Sequence, residues 1–396
     1  MQNSGLRVTK IANNSLQWET VRTRDIGLDA ELLNRRLSLE IGVYDKYTTG
    51  ILTTPSIYLT MGTAGAPTIN GPEVTNKGIE FSMAWNSKIG DLKYRIAGNV
   101  SYNENKVTQY RGSLKEGYND NNVYTSNIGE VSSGGSTRVL ENHMINEYYL
   151  LNVYKGDGSY TGTGGGPKDG MIRTPEDMAW VNKMIADGKT FFPSQAVGKN
   201  KLWYGDLIYA DTNGDGKFGN SFDQTFTGYN DRAKYLFGTQ LGLSWKNFTL
   251  DMNWAGQAGS KLYFLAGSEN SPNVSLSSAI GQRVADDHYY YNDANPSDPK
   301  NNINGSYPRL TNSGGQNTAA STHWLYDASY IRMKSLTIGY KLPLAPNSII
   351  KDVKFFVSGE NLLTITSYPG IDPEMESDVN AYPIYRQFAF GANINF

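Results

Sequence analysis

The chain has 396 residues, and its 36 Lys and Arg nearly balance 38 Asp and Glu, so nothing in the charge calls for a nucleic-acid partner. Cysteine is absent, which excludes disulfide frameworks, thiolate metal centres and cysteine nucleophiles. His143, His288 and His323 lie far apart without metal-ligand spacing, so a zinc site is not expected.

The chain is only 39% hydrophobic, yet it carries 27 Tyr, 7 Trp, 14 Phe and 42 Gly. Tyr and Trp combine an apolar ring with a polar tip and suit a boundary between water and lipid, or water and sugar. No apolar run approaches the roughly 18 residues of a transmembrane helix. Barrel strands, however, bury only alternate residues and look polar on average. Met1-Gln2-Asn3-Ser4-Gly5 has neither the basic nor the apolar region of a secretory signal.

Period-two alternation is the dominant signal. Ile26, Leu28, Ala30 and Leu32 alternate with Asp25, Gly27, Asp29 and Glu31; after a turn at 33–36, Leu37, Leu39, Ile41 and Val43 alternate with Ser38, Glu40, Gly42 and Tyr44. A long link, about 49–75, leads to a second hairpin. There Ile79, Phe81, Met83 and Trp85 are followed, across 86–91, by Leu92, Tyr94, Ile96, Gly98, Val100 and Tyr102, opposite Lys93, Arg95, Ala97 and Asn99.

The second long link, about 104–232, is rich in Gly, Asn, Ser and Tyr and contains Tyr118, Tyr124, Tyr148 and Tyr149. Its glycine run from Gly156 to Gly170 lacks the strand-then-helix setting of a phosphate-binding loop and reads as a flexible loop. One helix is expected, capped by Thr174, with Pro175 at its first position and Gly188 at its end. Its stripe of Met178, Val181, Met184 and Ile185 would pack on the loop's own strands or meet a partner. Asp211-x-Asn213-x-Asp215-Gly216-Lys217 matches the first half of a calcium loop, with the Lys217 carbonyl as the next ligand and Asp223 a late carboxylate, one residue past the usual position. Calcium binding and a tight polar turn capped by Asp and Asn both fit this pattern.

A third hairpin sets Tyr235, Phe237, Thr239, Leu241, Leu243 and Trp245 against Phe248, Leu250, Met252 and Trp254 across Lys246-Asn247. The third long link, about 255–326, holds Tyr289, Tyr290 and Tyr291, which with the four earlier tyrosines are candidates for stacking on sugar rings or contacting a partner. A fourth hairpin joins Leu336, Ile338, Tyr340 and Leu342 to Val353, Phe355 and Val357 through 343–351. After a last long link, about 363–383, Phe388, Phe390, Ala392, Ile394 and Phe396 form the final alternating run.

Short and long links alternate strictly, as in an outer-membrane barrel with short turns on one side and long loops on the other. The expected fold is therefore all-β: an antiparallel transmembrane β-barrel with long extracellular loops and one short loop helix. About nine strands are counted. An odd number cannot close an up-and-down barrel, so residues 1–396 are expected to be the C-terminal segment of a larger barrel, without its plug domain and signal peptide.

In sequence order, Ile11-Ala12-Asn13-Asn14-Ser15-Leu16-Gln17-Trp18-Glu19-Thr20, Glu73-Val74-Thr75-Asn76-Lys77-Gly78-Ile79-Glu80, Tyr204-Gly205-Asp206-Leu207-Ile208-Tyr209, Asp327-Ala328-Ser329-Tyr330-Ile331-Arg332-Met333-Lys334, Val357-Ser358-Gly359-Glu360-Asn361-Leu362 and Gly370-Ile371-Asp372-Pro373-Glu374 resemble motifs of the SusC/RagA-type, TonB-linked outer-membrane transporters. The resemblance implies energised import of oligomeric nutrients, glycans or peptides, under a SusD-like surface lipoprotein and driven by the TonB complex through an N-terminal part. It also implies contact with outer-membrane lipid. No nucleophile–histidine–acid arrangement occurs in a strand-turn-helix context, so an enzyme is not expected. The alternative is a surface or secreted glycan-binding β-protein that uses the same tyrosines without transport.

Overall fold

The computed structural model describes residues 9–54, 65, 67–109, 114–118, 124–129, 137–194, 196–199, 201–265, 270–274, 279–312, 315–345, 349–375 and 382–396. Nine long strands dominate: β1 (Thr20–Leu32), β2 (Leu37–Thr49), β3 (Glu73–Ile89), β4 (Leu92–Gln109), β5 (Tyr235–Trp245), β6 (Phe248–Ala258), β7 (Tyr330–Lys341), β8 (Asp352–Thr366) and β9 (Gln387–Asn395). They form one antiparallel sheet in strict sequence order. This is the expected set of strands, several of them longer than alternation alone indicated. Among the described residues β1 and β9 do not pair with each other.

The register aligns side chains into rows of like chemistry. One row runs Leu37, Trp85, Ile96, Leu241, Met252 and Leu336 across β2 to β7. The row on the opposite face, Asp29, Glu40, Ser82, Asn99, Gly238, Ala255 and Arg332, is polar or small. A slip of one residue would exchange the two faces, so the pattern fixes the register. Among the described residues most of the apolar face is open: Ile26 is 82% exposed, Val357 60% and Phe390 90%. Large apolar side chains exposed along one whole face of a sheet suit hydrocarbon.

The short links are tight. β3 and β4 turn through Gly90 at φ +57°, and β5 and β6 through Lys246 at φ +52°. The second is a left-handed position that costs a side-chain-bearing residue about 1 kcal/mol or more. On the apolar face Phe237 lies flat over Gly256, where a Cβ would collide with its ring.

The packed core lies in the loops, not in the sheet. Segments 137–234 and 259–329 fold on each other at one end of the strands, with Leu151 N–H donating to the Ala320 carbonyl and Val153 N–H to Thr322 Oγ1. The helix α1 (Pro175–Ala186) carries the expected Thr174 cap, completed by the Thr174 N–H donating back to the Asp177 carboxylate. Its face of Met178, Trp180, Val181 and Met184 packs against Tyr154, Ile172, Phe191, Ile208 and Phe218 of the same long connections. A second cluster joins Leu151, Met171, Leu207, Tyr209 and Tyr289.

The glycine run corrects an expectation. It is not a loose loop but part of this core. Gly165 and Gly166 are buried, Trp180 Nε1 donates to the Gly162 carbonyl at 3.0 Å, and the Tyr154 hydroxyl donates to the Gly165 carbonyl at 2.5 Å. At Gly166, φ is +87° and a Cβ would stand 2.8 Å from the Trp180 ring, so the absent side chain is what lets the indole dock.

Candidate functional site

The most highly charged buried group lies where β7 meets the link after β8. β7 carries a bulge between Met333 and Ser335. Below it, Leu336 and Ile338 continue the apolar face; above it, Ile331 and Met333 take over that face, and Arg332 stands in the polar row. The extra residue thus shifts the phase of the strand. Arg332 is 1% exposed. Its guanidinium donates to Asp372 at 2.5 Å, to Glu374 at 3.2 Å and to Thr364 Oγ1 at 2.9 Å. Lys334 adds bonds of 2.6 and 2.9 Å to the two Glu374 oxygens. Desolvation raises the Glu374 pKa, but hydrogen bonds from Lys334 and Tyr330 and the charges of Arg332 and Lys334 outweigh it and leave the group below its ordinary value. The network ties residues 372–374 to the strand.

Two further cationic clamps hold the loops together. Arg309 forks onto Asp206 at 2.7 and 2.8 Å and donates to the carbonyls of Lys199 and Lys201. Asn317 and the Trp203 N–H also donate to Asp206, which is fully buried. Arg173 reaches the carbonyls of Ile303 and Gly305. Each clamp joins one long connection to the other. Nearby, His323 is half-buried, and desolvation lowers its pKa to about 4, so it is neutral at pH 7.

The calcium-like segment forms a closed turn. Asp211 accepts the amides of Gly214, Asp215 and Gly216. Asn213 accepts from Asp215 N–H, and Asp215 from Lys217 N–H. Asp223 is fully buried and accepts amides from Thr212, Asn213, Gly219 and Asn220. Among the described residues no group of three or more His, Cys, Asp or Glu is arranged for a metal.

The tyrosines separate by burial. Tyr148 and Tyr289 are core residues, 7% and 2% exposed, and the Tyr289 hydroxyl donates to the Arg173 carbonyl; their ring faces are not available for stacking on a sugar, which corrects that expectation. Tyr149 lies against Phe226 and Tyr291 against Tyr204, both half-buried, while Tyr290 is 40% exposed. The side chains of Tyr118 and Tyr124 lie outside the described residues. Sequence reasoning did not single out the Arg332 network as a site. Its only signal was the presence of opposite charges in two family-like motifs 40 residues apart.

Residues 2–171 match the family model described as TonB dependent receptor-like, beta-barrel. The whole chain is 27% identical to TonB-dependent receptor P3 of Formosa agariphila, covering 36% of that protein. It is 24% identical to TonB-dependent receptor SusC of Bacteroides thetaiotaomicron over 98% of the chain and 33% of SusC. The structure of the RagAB peptide importer in its closed-closed state superposes with a TM-score of 0.68 at 21% identity, over 99% of this chain and 37% of that one. The chain therefore spans about a third of the length of the curated relatives it matches.

Proposed function

Because this chain is β-barrel of the TonB-dependent receptor kind, related to SusC and RagA and so a bacterial outer-membrane protein, we propose that it supplies part of the wall and outer loops of a receptor that imports oligomeric nutrients, glycans or peptides. In this reading a SusD-like lipoprotein covers the long-loop end, and the TonB complex acts through a part of the receptor outside residues 1–396. The observation that carries it is the two-faced sheet. Its open apolar face needs lipid, its polar face suits a wet lumen, and its long connections gather at one end. Edge groups left unpaired in lipid would cost several kcal/mol each, so β1 and β9 require further strands beside them.

Deleting the gene is expected to abolish growth on the imported oligomer and to leave growth on its monomer intact. Equal growth on both would remove the import reading. The full-length protein should be extracted only by detergent and migrate faster on a gel before boiling than after. A water-soluble monomer would instead favour a secreted glycan-binding β-protein.

Calcium belongs to the same proposal, at Asp211, Asn213, Asp215, the Lys217 carbonyl and Asp223. Support comes from the spacing, and from the second acceptor site that Asp211 Oδ2, Asn213 Oδ1 and Asp215 Oδ1 each retain beside one donor. Saturating calcium is expected to raise the thermal midpoint, since a ligand at 100 times its Kd adds about 2.7 kcal/mol. An unchanged midpoint with and without chelator would leave the turn to its own Asp and Asn caps.

A further inference from the structure

Four segments of the loop body converge on an open cleft of about 740 Å³: residues 152–155, the glycine run at Thr163, Lys189 beyond α1, and the turn at Asp211–Gly214. Lys261, just past the end of β6, and Thr322 complete it. We propose that this cleft binds an acidic oligosaccharide through its carboxylate or sulfate groups.

Charge is the first argument. Lys155, Lys189 and Lys261 all line the cleft, and among the described residues none of the three ammonium groups has a carboxylate partner. Lys261 lies 4.3 Å from the centre of the Tyr229 ring, a contact that leaves its charge uncompensated. Asp211, the acid in the lining, has its oxygens on the amides of Gly214, Asp215 and Gly216. Three cations around one space repel each other, and an anion entering between them relieves that repulsion.

Donor chemistry is the second argument. An ammonium is a compact charge with three rotatable donors and can meet carboxylate or sulfate oxygens in several poses. The Thr163 and Thr322 hydroxyls extend the polar lining. The three ammonium groups only donate, and the two Thr hydroxyls both donate and accept. This matches a sugar acid, whose acid and ring oxygens accept and whose hydroxyls do both. The volume falls within the roughly 300–1,000 Å³ of pockets that enclose a multi-ring ligand and exceeds what one inorganic anion fills.

The oligomeric nature of the ligand rests on the import reading above; anion capture by the cleft does not. The test is calorimetric titration of the full-length receptor in detergent with an oligogalacturonate, a sulfated galactan oligosaccharide, neutral maltohexaose, inorganic sulfate and an oligoglutamate peptide. At least one acidic oligosaccharide should bind, with affinity falling as salt rises, and maltohexaose should bind at least about tenfold more weakly. The combined Lys155→Gln, Lys189→Gln, Lys261→Gln variant should lose about tenfold or more in affinity at an unchanged thermal midpoint. If that variant does not fold, Lys155→Glu, at an exposed position, should show the same direction of change. Four results would each overturn the proposal: equal binding of maltohexaose, unaltered binding by the folded lysine variants, tighter binding of oligoglutamate, or sulfate binding as tightly as the oligosaccharides. Because the readout is binding, a deletion strain that still grows on oligomers would remove the import reading and leave this one standing.

Discussion

Replacing Arg332 by Ala is expected to lower the unfolding free energy of the receptor by about 3–5 kcal/mol, the loss seen when one partner of a buried ion pair is removed and the other is left without compensation. Arg332 is almost fully enclosed and serves Asp372, Glu374 and Thr364 together. Lys at the same position keeps the charge but not the planar fork, so it should recover only part of the loss. Lys334 is a useful control, because its side chain is 36% exposed and its bond to Glu374 is screened by solvent. Its removal should cost below about 1 kcal/mol. Denaturant unfolding in detergent, followed by tryptophan fluorescence, measures all three. An Arg332→Ala loss below about 1 kcal/mol would mean that the anions relax into water and that the network is not a fastening. Acidity gives a second readout. The folded-state pKa of Glu374 is depressed, so its contribution is present above the unfolded pKa and fades as pH falls through the folded one. Without Arg332 that acid dependence should shrink.

The nine strands were legible because a membrane barrel exposes its chemistry in its alternation. Ile26, Leu28 and Leu32 face one way and Asp25, Asp29 and Glu31 the other, with no tertiary context needed to see it. The reading stopped short at β7, where the bulge puts Ile331 and Met333 out of phase with Leu336 and Ile338. A strict period of two cannot cross an extra residue, so the upper half of that strand and its Arg332 were invisible to the pattern. The loop body was misread for a different reason. Glycine composition describes the freedom of an isolated chain, but Gly166 is where Trp180 makes its contact, and close packing needs small residues as much as disorder does. Trp180 lies on the same buried face as Met184, four residues on, although the expected stripe left it out. Tyr289 and Tyr290 are neighbours in sequence, one buried and one exposed, and composition assigns them the same role. The lysine cleft had no sequence signal: Lys155, Lys189 and Lys261 meet only because two long connections fold together.

That folding together makes the Asp206–Arg309 pair the sharpest test of whether the loop body is one unit. Desolvation raises the Asp206 pKa in spite of hydrogen bonds from Arg309 and Asn317 and the charge of Arg309. The carboxylate thus depends on its partner to stay ionised without a large cost. An Arg309→Met change keeps much of the side-chain volume and removes the fork, the charge and the bonds to the Lys199 and Lys201 carbonyls. The expected loss at neutral pH is about 3–5 kcal/mol. Its sign with pH is distinctive. Removing the favourable partner lifts the folded pKa of Asp206 further, so the native state binds a proton that the unfolded chain has released, and stability falls as pH rises between the two values. The variant should therefore regain part of its lost stability on acidification toward the ordinary carboxylate range, as Asp206 becomes neutral. An Asp206→Asn, Arg309→Met double change should be less destabilised at neutral pH than Arg309→Met alone, because no buried charge remains. Hydrogen exchange of the amides of Trp203, Leu207 and Arg309 locates the effect, since all three are held in this joint between the connections. Faster exchange at all three would show both long connections loosening together. A change confined to Arg309 would mean that they are stabilised separately and that the clamp only decorates their contact.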